Sequence, residues 1–558
     1  MPSARARTAG LDYAWLVLWI VASSVWCVSA ATQLSATFDE PLYLTRGLDG
    51  WRTGSHAGLL RLGTMPLPAD LQTAPLYLYE TARQVRFDPA ADLDRILPSA
   101  RAVTLAFWWI LLVYGWLAGR ALAGAWGARL AVVWLACEPS LLAHASLATT
   151  DLPLAACLLA LAYHFRTARE AAWPRRIGWP TCWFAAAVLS KASGLVIGPL
   201  CMAVLEAERR WATRRAPATS SAGAVGSAAD AARDMATIVA GGLLLVFLFC
   251  GSDWRPEPSF VAWANNLPAE STARVPMSWL AEHLRVFSNA GEAIVRQIRH
   301  NLRGHGSFLL GVTDRRALWY YFPVLLTIKL SEPLLLAVPL VAVVHRRALR
   351  NWSLLLAAAL VLYSLSFRVQ LGIRMVLPIV VFAAVGVAAA LAESADAARP
   401  EWVRRAVAVL IGAAVLWNAG NAVAAWPHGL AYVNRFWGGA SDGYLLVSDS
   451  NYDWGQGLWE LVRWQREHDA APLAVWYFGT DPLVNRPPLR QLPLHALAIA
   501  VPDNVSAAAR GSMLAVSTTL LYGTRLDGEA YRQSIAALRS RRPVARTTTF
   551  LIYDFTAG

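Results

Sequence analysis

Apolar runs long enough to enter a bilayer recur along this chain, and no other feature restricts its fold as strongly. A spanning helix needs about 20 mostly apolar residues. The candidates are 13–33, 101–119, 130–147, 152–166, 179–190 with 193–206, 236–251, 318–343, 352–367, 374–392 and 406–426. Only 16% of the 558 residues are charged, against about 25% in soluble globular domains. That deficit excludes an ordinary soluble enzyme and a disordered or collagen-like chain. Runs of this length also exclude an outer-membrane barrel, whose strands alternate with a short period. What remains is a polytopic, all-α membrane protein.

The net charge of +13 would suggest nucleic acid in a soluble chain. Here the arginines cluster between apolar runs, which reads as topology and anionic-lipid contact, with no nucleic-acid partner. All six cysteines fall inside apolar runs, so the polar regions need no disulfides and no CxxC metal spacing exists. The first run follows Arg5 and Arg7 and has the length of a retained anchor, not a cleaved signal peptide.

The stretch 179–206 is either one long helix or a hairpin turning at Ser190-Lys191-Ala192. The positive-inside rule selects the hairpin. Segments 1–12, 120–129, 167–178, 207–235, 344–351 and 393–405 then lie inside with 18 arginines, while the short outside turns hold only Lys191, Arg368 and Arg374. The expected architecture has about 11 membrane segments over residues 1–426, with the N-terminus cytoplasmic. Stretches 34–100 and 252–317 lie outside; both are aromatic and apolar enough for short helices on the membrane surface. Residues 427–558 form a small extracytoplasmic α/β domain, with helices expected over 454–467 and 528–542 and strands over 473–478, 496–501, 513–517 and 548–554. The Ala-, Ser- and Gly-rich segment 216–231 reads as a flexible loop.

Chemistry must come from polar groups that are expensive at membrane depth. Asp39 and Glu40, with Tyr43 close by, follow the first run; two adjacent carboxylates at a membrane boundary suit a general base or a cation site. The structural alternative is an Asp cap before a proline-led helix. Glu138 and His144 sit inside an apolar run and Asp151 at its exit; Thr150 or Asp151 could instead cap the next helix, and Glu138-Pro139 could mark a kink. Of the 50 basic residues only Lys191 and Lys329 are lysines, both in membrane segments. A compact ammonium suits a phosphate or a buried carboxylate, and Glu332 stands one turn after Lys329 as a partner. Arg368 and Arg374 flank the turn 367–374 and could clamp an anionic headgroup, or act as interfacial anchors. In Asp449-Ser450-Asn451-Tyr452-Asp453-Trp454-Gly455-Gln456, Asp453 suits a helix cap, and Asp449 with Asn451 suits Asx turns; an EF-hand pattern is absent.

These residues lie within longer stretches that match one family in order: FDEPLYLTRG at 38–47, EPSLLAHASLATTDLP at 138–153, LSKASGLVIGP at 189–199, HGSFLLG at 305–311, WYYFPVLLTIKLSEPLLL at 319–336, GIRMVLPI at 372–379 and GGASDGYLLVSDSNYDWGQGL at 438–458. The chain resembles the lipid-carrier-dependent glycosyltransferases of the C-type membrane fold. It is most similar to the bacterial branch of glycosyltransferase family 39, which contains protein O-mannosyltransferases and the aminoarabinose transferases of lipid A. The resemblance implies a hexosyl or pentosyl transferase of the bacterial inner membrane. Its donor would be a polyprenyl-phosphate sugar, its acceptor a protein hydroxyl, lipid A or another envelope glycan, and its surroundings membrane lipids.

By the same resemblance Asp39, with Glu40 beside it, matches the catalytic acidic position and Asp151 the second acidic position. Lys191 matches the lysine near the carrier phosphate. Lys329 departs mildly from the pattern, reading Lys-Leu-Ser-Glu-Pro. Arg374 holds the Gly-x-Arg position, with Met375 where histidine is common. His305, Tyr320, Tyr321, Asp449, Asn451 and Asp453 fall inside matching stretches as supporting residues, with no assigned role. The sequence leaves a divalent cation open and names no other cofactor. Rival readings are a transporter or flippase of lipid-linked sugars, against which no internal repeat is found, and a glycan polymerase or ligase.

Overall fold

In the computed structural model, residues 4–215, 227–285, 288–396, 400–468, 473–492, 505, 508–523 and 529–556 are described. Among them, five helices are long and apolar enough to cross a membrane: Gly10–Ala31, Leu93–Ala136, Ala228–Cys250, Ile373–Ala395 and Glu401–Ala425. A bent pair, Tyr321–Lys329 with Glu332–Leu349, makes a sixth. The chain is a multi-pass helical membrane protein.

Fewer helices reach spanning length than the eleven segments expected, because polar residues and prolines interrupt several runs. Residues 93–136 are two helices broken at Ala123 and Gly124, the latter at φ 63°. Gly119 and Gly127 then meet so closely that a Cβ on either would strike the other's carbonyl oxygen. This is a tight hairpin within the expected turn 120–129. The expected span 130–147 does not continue through: its helix stops at Ala136, and Pro139–Ala145 is a separate short helix with Glu138 extended at ψ 114°. The expected span 318–343 is likewise bent by 104° between Lys329 and Glu332. Pro333 opens the second arm, where its missing N–H is harmless.

The stretch 179–206 turns where the hairpin reading placed it. Helix Trp179–Ser190 ends at Lys191, whose backbone is extended, and Gly194 packs directly on the Ala187 backbone. Helix Asp151–Thr167 is buried over most of its length, and Leu377–Asp396 is enclosed likewise. Their small and branched side chains form one core with the 93–136 hairpin.

The two stretches expected to lie outside hold short helices: Glu40–Thr53, Ala57–Leu60 and Leu67–Arg83 in the first, and Pro258–Asn265, Arg274–His283 and Ser288–Arg303 in the second. A small antiparallel pair, β1 (Ser307–Leu309) and β2 (Val312–Asp314), follows. Of the expected loop 216–231, residues 216–226 lie outside the described residues. Its end is helical, because Ser227 and Asp230 form a capping box at the start of Ala228–Cys250.

The C-terminal part builds a mixed five-stranded sheet from β3 (Leu473–Trp476), β4 (Leu489–Gln491), β5 (Met513–Ser517), β6 (Ala545–Arg546) and β7 (Phe550–Asp554), in the order β4-β3-β5-β7-β6. β3 runs parallel to β4 and β5, while β7 is antiparallel to β5 and β6. Helices Leu458–Glu467 and Glu529–Ser540 accompany it. The strand expected over 496–501 lies outside the described residues. The first of these helices starts at Leu458 with Gly457 as its cap, so Asp453 does not cap it.

Candidate active site

The site begins with the strand-like link Ser35–Phe38, which leaves the first membrane helix. Its backbone is tied to the C-terminal part: Phe38 N donates to Trp454 O at 2.8 Å and Ser35 N to Gln456 O at 3.1 Å. Asp39 then occupies the cap position of Glu40–Thr53, but its carboxylate makes no capping bond. It turns away from the helix it precedes, and Arg374 Nη1 donates to its Oδ2 at 2.7 Å. Asp39 thus holds the cap position before a proline-led helix without bonding the helix N-terminus.

Glu40, expected beside Asp39 as a second catalytic acid, takes another role. It is fully buried; its Oε1 accepts from Arg101 Nε and Ala148 N, each at 2.8 Å, and its Oε2 accepts from Arg101 Nη2 at 2.7 Å and Thr37 N at 2.8 Å. Arg101 also donates to the carbonyls of Ala31, Leu34 and Ser35. Burial alone would raise the Glu40 pKa, but Arg101 together with the backbone N–H groups of Thr37 and Ala148 holds the carboxyl below its ordinary range. Glu40 is thus a fixed anchor for the Asp39 loop.

Asp151 opens the buried helix Asp151–Thr167 and receives two cations. Lys191 Nζ donates to its Oδ1 at 2.5 Å, and Arg374 Nη1 lies 3.8 Å from its Oδ2. Lys191, Asp151, Arg374 and Asp39 thereby form an alternating row of four charges drawn from four separate segments. Met375 places its sulfur 3.4 Å from Lys191 Nζ, filling the position where the resemblance expected histidine. Tyr43 OH lies 3.4 Å from Asp39 Oδ2. Burial, and next the Asp39 charge, keep its phenol well above its ordinary pKa, so it serves as a donor. Asp39, Lys191 and Arg374 line a cavity of about 270 Å³ together with Gln297, His300 and His305, while Asp151 is buried behind them. The two imidazoles meet at 2.7 Å, His300 Nε2 to His305 Nδ1. Among the described residues no group of three or more His, Cys, Asp or Glu side chains gathers to hold a metal ion.

The DSNYDWGQ stretch supplies the mount for Arg374. Gly372 has φ +105°, and a Cβ there would collide with Ser450 and Asn451. Asn451 Oδ1 accepts from Ile373 N at 2.9 Å, and its Nδ2 donates to Tyr321 OH at 3.0 Å. The Arg374 guanidinium lies over the Trp454 indole, 4.1 Å from the ring centroid. Asp449 takes a left-handed backbone, with φ 57°, and donates its N–H to Thr519 Oγ1 at 3.0 Å. Asp453 is buried and accepts from Thr519 N at 3.1 Å and Gly455 N at 3.2 Å. Since Trp454 O also holds Phe38 N, one short stretch positions both Asp39 and Arg374. Sequence reading left this stretch without a role; its glycine-x-arginine partner at 372–374 was the available signal.

Several expected site residues lie elsewhere. Lys329 is fully buried and donates to three backbone carbonyls, Leu430 O at 2.8 Å, Tyr432 O at 2.5 Å and Asn451 O at 2.8 Å. It does not line the cavity beside Asp39 and forms no ion pair with Glu332, which lies beyond the bend at Leu330-Ser331. Glu332 instead accepts from Asn421 Nδ2 at 2.5 Å and Arg435 N at 2.6 Å. Arg368 does not form the far side of a clamp; its backbone N–H is held by Asn301 Oδ1 at 2.9 Å and its side chain reaches Leu302 O. Glu138 accepts from Ser331 Oγ at 2.7 Å, tying the short helix 139–145 to the bend. His144 is buried with no hydrogen bond to either ring nitrogen. Tyr320 packs on Trp319 and does not line the cavity. Arg101, Gln297, His300 and Trp454 were not singled out in sequence; the partners of Arg101, Gln297 and Trp454 are distant in the chain, and His300 pairs with His305 five residues on.

No curated protein matches the chain. Among solved structures, it is similar to ArnT from Cupriavidus metallidurans bound to undecaprenyl phosphate, at 15% identity and TM-score 0.43 over 97% of both chains. It is also similar to the archaeal oligosaccharyltransferase AglB from Archaeoglobus fulgidus in complex with an inhibitory peptide and a dolichol-phosphate, at 12% identity and TM-score 0.46 over 96% of this chain and 74% of that one. Residues 96–228, which include Arg101, Asp151 and Lys191, match the model of the dolichyl-phosphate-mannose-protein mannosyltransferase family.

Proposed function

We propose that this chain transfers a sugar from a polyprenyl-phosphate donor to an acceptor nucleophile, with inversion at the anomeric carbon. The observation that carries the reading is the alternating row Lys191–Asp151–Arg374–Asp39, in which Lys191, Arg374 and Asp39 line one cavity and Asp151 joins the two cations behind it. The family domain over residues 96–228 supports the same reaction class.

With no donor bound, both cations are neutralised by carboxylates. An arriving phosphate would compete for Arg374 and Lys191, since charge-assisted bonds to phosphate are strong. Drawing Arg374 toward the phosphate uncovers Asp39, which then takes the proton from the acceptor hydroxyl as its oxygen attacks the anomeric carbon. The carbon–oxygen bond to the carrier breaks, and the carrier phosphate departs onto fixed positive charge in a site shielded from water. Asp151 stays between the cations and keeps them aimed. No water attacks, which separates this scheme from glycoside hydrolysis.

The reading places the chain in a bacterial cytoplasmic membrane, with the N-terminus inside and residues 427–558 on the outer face as a separate extracytoplasmic domain. Acceptors in reach there are protein hydroxyls, lipid A and envelope glycans. Asp39→Asn tests it. Transfer should fall by about 10²–10⁴-fold, the usual contribution of a positioned base, with folding and membrane insertion unchanged. Near-normal transfer by a folded Asp39→Asn protein would refute the assignment.

A further inference from the structure

A second cavity is larger than the catalytic one. A space of about 450 Å³ opens where the membrane helix Glu401–Ala425 ends, between the loop 426–441 and residues 546–548 beside the sheet. Its floor is polar at membrane depth: Glu332 and Asn421, from two different apolar helices, meet there at 2.5 Å, and Tyr432 OH lies 3.3 Å from the same carboxylate. Polar groups in such helices are retained for a reason. Its walls include Trp426 and Tyr452. At the rim stand His428 and Glu460, 3.5 Å apart, and two exposed arginines, Arg435 and Arg546.

The Arg435 side chain has no ion-pair partner among the described residues. Arg546 is 3.2 Å from Asp442, but both side chains are exposed, and such a pair exchanges readily for a better anion. Trp426 and Phe436 beside the mouth are 43% and 57% exposed. Exposed aromatics at the end of a spanning helix mark the membrane–water boundary. Below them the helix presents an outward apolar stripe that includes Val409, Leu416 and Val423.

We infer that this cavity binds the phosphorylated headgroup of a membrane lipid. Arg435 and Arg546 take the phosphate, His428 and Glu460 take the polar head, and the acyl chains run along the stripe of Glu401–Ala425. The site is separate from the sugar-transfer site: Tyr452 faces this cavity and Trp454 the catalytic one.

The test uses the full-length protein in nanodiscs of phosphatidylcholine with added phosphatidylglycerol, reading retained lipid by native mass spectrometry after release into detergent. The wild type should retain phosphatidylglycerol selectively. Arg435→Glu and Arg546→Glu should each lower the bound fraction about tenfold or more, the value of one charge-assisted contact. Arg542→Glu, an exposed arginine that does not line the cavity, should leave it unchanged. Because the two rim arginines are exposed, the variants should elute and melt as the wild type does. Equal lipid retention in all four proteins, or no preference over phosphatidylcholine, would overturn the inference. So would displacement of the lipid by millimolar inorganic phosphate, which would identify a site for a free anion. No sugar transfer is measured, so failure here leaves the proposed function standing.

Discussion

The only two lysines in this chain occupy two turns built in nearly the same way and used differently. Lys191 ends helix Trp179–Ser190 at a break, and Lys329 ends Tyr321–Lys329 at another. Lys191 reaches a buried carboxylate and lines an open cavity. Lys329 is closed off and saturated by three carbonyls, one of them Asn451 O. Both are scarce, both are costly at membrane depth, and only one is available to a ligand. Scarcity therefore marks a constraint on the fold; what the ammonium faces decides whether the constraint is also chemistry.

Substitutions sharpen that contrast, beginning with the largest effect. Lys329→Met would leave three buried carbonyls without a donor, at about 1–3 kcal/mol for each that finds no replacement. The expected outcome is loss of folded protein, read as yield and thermal midpoint in detergent; a stable Lys329→Met protein would show that the cage is dispensable. Lys191→Met should leave the fold standing and reduce transfer on the order of 10²-fold, as removal of one transition-state donor does. If both variants lost stability equally, the distinction between the two turns would fail.

Gly372→Ala comes next, because it strikes the link between them. A Cβ at φ +105° would press on Ser450 and Asn451 and shift the turn that carries Arg374. Transfer should fall by more than tenfold, since small misplacements of a reacting geometry are costly, with the thermal midpoint lowered by only a few degrees. Wild-type activity in Gly372→Ala would detach the DSNYDWGQ stretch from the site.

The smallest effect concerns pH. Burial, against several hydrogen bonds, pushes the Asp453 pKa up to about 7. The folded state then holds a proton that the unfolded chain, titrating near 3.9, gives up. Stability from this group is full below about pH 4 and is lost as pH rises toward 7. Asp453→Asn should flatten that slope in a series of thermal midpoints; an unchanged slope would assign it to other groups.

Much of this was legible in sequence. Apolar runs and arginine placement gave the helical membrane portion and the hairpin at Lys191, and short strand-like runs gave the sheet at the C-terminal end. Asp39, Asp151, Lys191 and Arg374 could be singled out because each is polar near an apolar run. Three things were not legible. The break at Leu330-Ser331 was one, although it is tied to Glu138, 193 residues away, by a bond from Ser331. The parting of Asp39 from Glu40 depends on Arg101, whose charge looked like one of many. The roles of Asn451 and Trp454 come from packing against Gly372 and Arg374, a contact no local pattern encodes.

The central claim is that the row Lys191–Asp151–Arg374–Asp39 breaks the bond between sugar and carrier phosphate. It is tested most directly by following a radiolabelled polyprenyl-phosphate sugar, with envelope acceptors, on purified protein in sealed vesicles. The account predicts free polyprenyl phosphate formed in step with labelled acceptor, the new linkage carrying inverted anomeric configuration, and neither product with Asp39→Asn. Labelled sugar that crosses the bilayer while still attached to its carrier, with no free polyprenyl phosphate, would contradict it and identify a transporter.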